Sequence, residues 1–107
     1  MNTVDTRHDL ENSLHRNSRV LALFFFSWCP FCQEFLPFFE MNVNGSGFGE
    51  VLYVQMDDYN NPLWDEFSID YMPTVVLFER GTVSSRLDGK SGRGLGEKEF
   101  SEWLARL

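Results

Sequence analysis

Residues Val20 to Phe26 read VLALFFF, seven apolar residues without a polar break. A strand with one wet face alternates apolar and polar side chains, so an unbroken run has no face to give to water. The run is far short of the roughly 20 residues that a membrane-spanning helix needs. It therefore predicts a central strand buried on both faces, which requires helices packed on each side of a sheet.

The flanking segments supply those helices. Thr6 to Asn17 places Leu10 and Leu14 on one face, with Asp5 or Thr6 as cap. Cys29 to about Met41 carries apolar residues at 32, 35, 36 and 39, a helical spacing. Asn2 to Asp5 is a candidate edge strand and Val51 to Met56 a second inner strand. Pro62 to Phe67 predicts a short helix, with Asn61 as cap and Pro62 in its first position. Thr74 to Phe78 and Val83 to Leu87 flank Glu79-Arg80-Gly81-Thr82 and predict a hairpin. From Leu95 or Gly96 to Leu107 the pattern is an amphipathic helix with Phe100, Trp103, Leu104 and Leu107 inward. Asn42 to Gly49 and Lys90 to Gly96 are Gly-rich loops, and no repeat or linker divides the chain. The 107 residues thus form one domain with an α/β architecture.

Composition narrows the function. Acidic residues outnumber basic ones 16 to 9, a net charge of −7, which disfavours nucleic acid as a partner. Residues 1–78 hold eleven acids and three bases, and no Lys or Arg lies between Val20 and Glu79. Two cysteines build neither a disulfide-stapled scaffold nor a complete zinc site. The polar first nineteen residues contain no apolar signal region, so with Met1 as the true start the chain reads as cytoplasmic and off the membrane; a monomer is the expected state.

The two cysteines lie in Ser27-Trp28-Cys29-Pro30-Phe31-Cys32, where a buried strand turns into a helix. Unpaired N–H groups and the helix dipole at that point favour negative charge, hence a thiolate at Cys29. Cys32 follows one turn on, within reach of Cys29, and is expected to be the more buried. Pro30 suits the first turn, where no N–H is required. Zinc would need two further ligands, and the histidines, His8 and His15, lie on a distant helix. Haem attachment would need His in place of Gln33. An iron–sulfur cluster bridged between two chains would use Cys29 from each. A structural disulfide would close almost no loop and stabilise little. Dithiol–disulfide exchange suits the motif best.

These residues resemble the thioredoxin superfamily over nearly the whole chain. Trp28 to Cys32 matches the family's W-C-x-x-C, and Pro37 the proline within the active-site helix. Met72-Pro73-Thr74, leading into Val75-Val76-Leu77-Phe78, is similar to the family's cis-proline loop. Gly81 matches the hairpin glycine, and Gly89 the glycine closing the substrate groove. The resemblance implies a thioredoxin fold: a central mixed sheet of four or five strands with helices on both faces. It further implies Cys29 as nucleophile and Cys32 as resolving thiol. Trp28, Pro30, Phe31, Tyr71, Met72, Pro73 and Gly89 would contact substrate, with the Met72 backbone pairing with an extended client. No bound cofactor is implied; an external donor, thioredoxin reductase or glutathione, would return electrons.

The chain departs from the family in three places. Leu23 and Val54 stand at the positions of the usual buried Asp and its Lys partner, which removes the proposed proton acceptor for Cys32. Water, a client group or a carboxylate such as Glu34 would then take that proton. Pro30-Phe31 is a glutaredoxin-type dipeptide, and glutaredoxins are more oxidising, roughly −200 to −230 mV against about −270 mV for thioredoxin. The Lys90–Gly96 loop is longer than the family norm and brings Lys90 and Arg93 towards the groove. The expected activity is reduction of protein disulfides. The rival readings are a glutathione-dependent glutaredoxin-like enzyme, a net oxidant or isomerase, and a non-catalytic binding module.

Overall fold

A computed structural model of the chain describes residues 2–43 and 47–107. The elements run β1 (Asn2–Val4), α1 (Arg7–Arg16), β2 (Arg19–Phe25), α2 (Pro30–Val43), β3 (Glu50–Gln55), α3 (Leu63–Glu66), β4 (Thr74–Glu79), β5 (Thr82–Leu87) and α4 (Glu97–Ala105). The strands form one mixed sheet in the order β1-β3-β2-β4-β5. β1 and β2 flank β3 in parallel, while β4 pairs antiparallel with both β2 and β5. Of the Gly-rich stretch 42–49, residues 44–46 lie outside the described residues, as does Met1.

β2 occupies the centre because every residue from Val20 to Phe24 is fully buried. Alternate residues serve opposite faces. Val20, Ala22 and Phe24 pack with Leu10, Leu14 and Leu63 of α1 and α3. Leu21 and Leu23 pack with Phe35, Phe39, Phe100 and Trp103 of α2 and α4. The second face is rich in aromatic rings, with Phe100 5.1 Å and 5.5 Å from the rings of Phe35 and Phe39. Edge-on and offset ring pairs of this kind add stability beyond area burial.

Local signals place the helix starts. Thr6 caps α1 by accepting the Asp9 N–H at 3.1 Å. At α3 the cap position falls on Pro62, one residue later than expected, because the helix starts at Leu63; Asn61 Oδ1 still accepts the Leu63 N–H at 3.0 Å from just outside it. Glu99 reaches back to the Gly96 N–H at 3.2 Å and secures α4. Two further expectations are corrected. Leu107 is 40% exposed, because α4 ends at Ala105 and the last residues leave the packed face. Leu23 and Val54 are both buried, but they are not partners. In the parallel register Leu23 faces Tyr53 and Phe24 faces Val54, so Leu23 and Val54 point to opposite sides of the sheet.

Candidate functional site

The site grows from the end of β2. The chain leaves the sheet at Phe25, whose carbonyl accepts the Met56 N–H at 2.7 Å. Ser27 is then clamped by Asp57, which accepts its N–H and its hydroxyl, each at 2.8 Å. Gln55 adds a third donor to Asp57 at 2.6 Å, and Gln33 reaches the Ser27 carbonyl at 3.2 Å. Burial pushes the Asp57 carboxyl up, but the bonds from Gln55 and Ser27 outweigh it and hold it below its ordinary range. The bend that presents Trp28 and Cys29 is therefore held from two elements.

Cys29 precedes the first residue of α2 and behaves as its cap. Its carbonyl accepts the Gln33 N–H at 3.0 Å, and its Sγ accepts the Cys32 N–H at 3.3 Å. Sulfur thus occupies the place that Ser or Asp oxygen fills at other helix starts. No acid stands in the first turn of α2. The donor N–H and the helix dipole both act at this sulfur. Both cysteines are free thiols. Cys29 is 3% exposed and Cys32 1%, so the expected order holds by a narrow margin. Burial, reinforced by hydrogen bonding to Cys29, pushes the Cys32 thiol well above its ordinary range.

The Met72–Pro73 peptide is cis. Thr74 Oγ1 donates to the Tyr71 carbonyl at 2.8 Å and accepts the Gly89 N–H at 3.5 Å, tying this loop to the chain after β5. Gly89 is required there: a Cβ would lie 2.6 Å from the Pro73 carbonyl oxygen. Gly89 is thus buried behind the loop and supports it from the back.

A groove of about 380 Å³ opens at Cys29. Pro30 and Phe31 border it from α2, and Tyr71 and Met72 from the proline loop. Tyr71 is 49% exposed, whereas the Met72 side chain is buried. Trp28, 52% exposed, lies against Phe26 with ring centroids 5.4 Å apart. Sequence reasoning missed Phe26, Tyr59, Trp64, Asp70 and Gly92 among the lining residues. Tyr59 stacks on Trp64 at 6.0 Å and meets Trp28 edge-on at 6.5 Å, continuing an aromatic wall away from Phe26. The aromatic content between β3 and the proline loop was the available signal, but only the folded chain shows which rings face outward.

The Gly-rich loop after β5 is ordered around a bridge between Lys90 and Gly94. Gly94 has φ +65° and presses on Phe31, where a Cβ would lie 2.6 Å from the Phe31 Cβ. Lys90 and Gly92 line the groove, and Arg93 is exposed. Glu34 is exposed on α2. On its own side Cys32 borders a second, apolar groove of about 310 Å³ with Phe25, Phe26, Leu36 and Pro37. Cys32 is the one titratable side chain lining it among the described residues. A larger polar concavity of about 600 Å³ near Arg19 and Glu79 holds no cysteine.

Comparison with known proteins gives a consistent family. A family model described as Thioredoxin matches residues 2–102. The chain is 27% identical over 90 residues to a thioredoxin of Mycoplasmoides gallisepticum, covering 83% of this chain and 88% of that protein. It is 26% identical over 95 residues to a bifunctional thioredoxin reductase/thioredoxin of Mycobacterium leprae, covering 88% of this chain but 20% of that protein. The X-ray structure of Fasciola hepatica thioredoxin superposes with a TM-score of 0.80 at 25% identity, covering 99% of this chain and 98% of that one.

Proposed function

The chain belongs to the thioredoxin family and is a thiol–disulfide oxidoreductase, and from that premise we propose that it reduces disulfides of client proteins through Cys29 and Cys32. The single observation that carries the assignment of roles is the Cys32 N–H directed at Cys29 Sγ, at a helix start that borders an open groove. The Cys29 thiolate attacks one sulfur of the client disulfide. A Cys29–client bond forms, the client S–S bond breaks, and the departing client thiolate takes a proton from water. Cys32 then releases its proton and attacks Cys29 Sγ. The second client thiolate leaves and the Cys29–Cys32 disulfide remains, so two electrons have passed to the client.

Client recognition falls to the residues bordering the groove. Pro30, Phe31 and Tyr71 offer apolar contact there, and Trp28, outside the lining itself, adds an exposed ring beside Phe26 and Tyr59. Among the described residues the N–H and carbonyl of Met72 have no hydrogen-bond partner, which suits them to pair with an extended client strand. Pro73 and Gly89 act indirectly, by shaping the loop that presents Met72. No residue lining the Cys32 groove replaces the family's missing Asp, so the Cys32 proton passes to water or to the client. The oxidised pair is returned by an external donor, thioredoxin reductase or glutathione; one relative named above carries reductase and thioredoxin together. The glutaredoxin-type Pro30-Phe31 pair argues for a potential above that of thioredoxin. We place the protein as a single-domain monomer in the cytoplasm, consistent with an acidic chain that carries one redox dithiol and no disulfide staple.

The test is to trap the intermediate. With a disulfide-bonded client such as insulin, Cys32→Ser accumulates a mixed disulfide at Cys29 that intact mass spectrometry resolves, whereas Cys29→Ser forms none and reduces nothing. Adducts at Cys32 in the Cys29→Ser variant, or insulin reduction without either thiol, overturn the assignment.

A further inference from the structure

A run of rings from Phe26 through Trp28 and Tyr59 to Trp64 is left partly open to solvent beside Cys29. We propose that Tyr59 and Trp64 form a specificity subsite, which selects an aromatic side chain next to the client's reactive cysteine. This rests on the disulfide-reductase reading above and deepens it. Successive ring centroids in the run lie 5.4, 6.5 and 6.0 Å apart, and the Tyr59 and Trp64 planes are within 25° of parallel. Rings that serve the core are covered when they pack, as Phe39 and Phe100 are. Tyr59 touches two rings and is still 72% exposed, so it has area left to give to a ligand.

The stack is held in place by its own turn. Trp64 Nε1 donates to the Asp58 carbonyl at 3.1 Å, and the Asn61 N–H bonds to the same carbonyl at 3.0 Å. The Asp58 carboxylate accepts the Asn60 N–H at 2.9 Å, closing a small ring of bonds around Tyr59. A surface fixed in advance costs less to order when a ligand arrives. Tyr59 and Trp64 line the same groove as Cys29, so the subsite is continuous with the point of attack. Phe26, Phe31 and Tyr71 add further rings to that lining. The volume, about 380 Å³, lies at the lower end for ligand pockets, so it admits client side chains and not a folded surface. An aliphatic side chain gains burial on such a wall and nothing more. An aromatic one also gains from edge and offset contacts with the exposed rings, an attraction beyond area burial.

The test uses symmetric disulfides of the peptide Ser-X-Cys-X-Ser, with X as Phe, cyclohexylalanine or Lys, each reduced by the prereduced protein. Every rate is divided by that of the same peptide with dithiothreitol, which removes differences in intrinsic reactivity. High ionic strength screens the chain's net negative charge. Cyclohexylalanine matches Phe in shape and apolar area but has no π system. The Phe peptide reacts faster than the cyclohexylalanine peptide by roughly two- to tenfold, the equivalent of one ring–ring contact. Tyr59→Leu, which keeps an apolar side chain on an exposed turn, lowers that ratio, and Tyr59→Phe preserves it. A cyclohexylalanine or Lys peptide reduced as fast as the Phe peptide, or a ratio unmoved in Tyr59→Leu, overturns the proposal. Failure to reduce any of the three peptides instead overturns the reductase reading itself.

Discussion

Cys29 and Cys32 are one helical turn apart, yet they meet unlike surroundings. Cys29 ends a clamped loop, receives a backbone N–H and borders a groove rich in aromatic rings. Cys32 lies inside the first turn of α2, its thiol raised by burial, beside an apolar groove without a carboxylate. The contrast teaches that two thiols one turn apart can meet different backbone settings: an N–H and a helix start face the Cys29 sulfur, while burial dominates at Cys32. In the proposed cycle it also separates the two steps: Cys29 would attack from the helix start, while Cys32 would have to shed its proton with no acid lining its groove.

The largest expected effect exposes that separation. Because the Cys32 thiol titrates above its ordinary range, its thiolate fraction at neutral pH is small and grows about tenfold per pH unit. Decay of a preformed Cys29 mixed disulfide, followed by stopped flow, therefore accelerates about tenfold per unit from pH 6 to 8. A flat profile would mean that some group does accept the proton and that the two thiols are equally served.

A medium effect tests the groove side. Gly94→Ala meets both a positive φ and the Phe31 side chain, whereas Gly92, at φ +76°, has nothing within 4 Å of its would-be Cβ. Gly94→Ala should cost about 1–3 kcal/mol in urea unfolding and slow insulin reduction. Gly92→Ala should cost clearly less, because it pays only the backbone term. Equal losses would show that the loop does not lean on Phe31.

The smallest effect concerns the clamp. The Asp57 carboxyl is held below its ordinary range, so its contribution to stability is complete above the unfolded carboxylate value, about 3.9, and is lost as pH falls through the folded value. Asp57→Asn should lower the urea midpoint slightly at pH 6, with the gap to the parent protein closing near pH 2. A gap that persists in acid would assign the loss to shape and not to charge.

Much of this architecture was legible from residue order. The unbroken apolar run placed β2 at the centre, the apolar spacing after Cys29 placed α2, and the two cysteines named the chemistry. These are local facts, because side-chain period and helix-start chemistry act within a few residues. The partnership expected of Leu23 and Val54 failed because a one-residue offset in β-register sends a side chain to the other face, and register is a property of two strands together. Tyr59, Trp64 and Asp70 escaped notice for a similar reason: whether a ring is buried or presented depends on what packs behind it. Residue order thus determined the sheet, its helices and the reactive pair, through periodicity and helix-terminal electrostatics. Only the tertiary structure decided which thiol borders the groove between α2 and the proline loop, that Gly94 sets the loop against Phe31, and that Tyr59, Trp64 and Asp70 join that groove, because those features arise where segments distant in the chain come into contact.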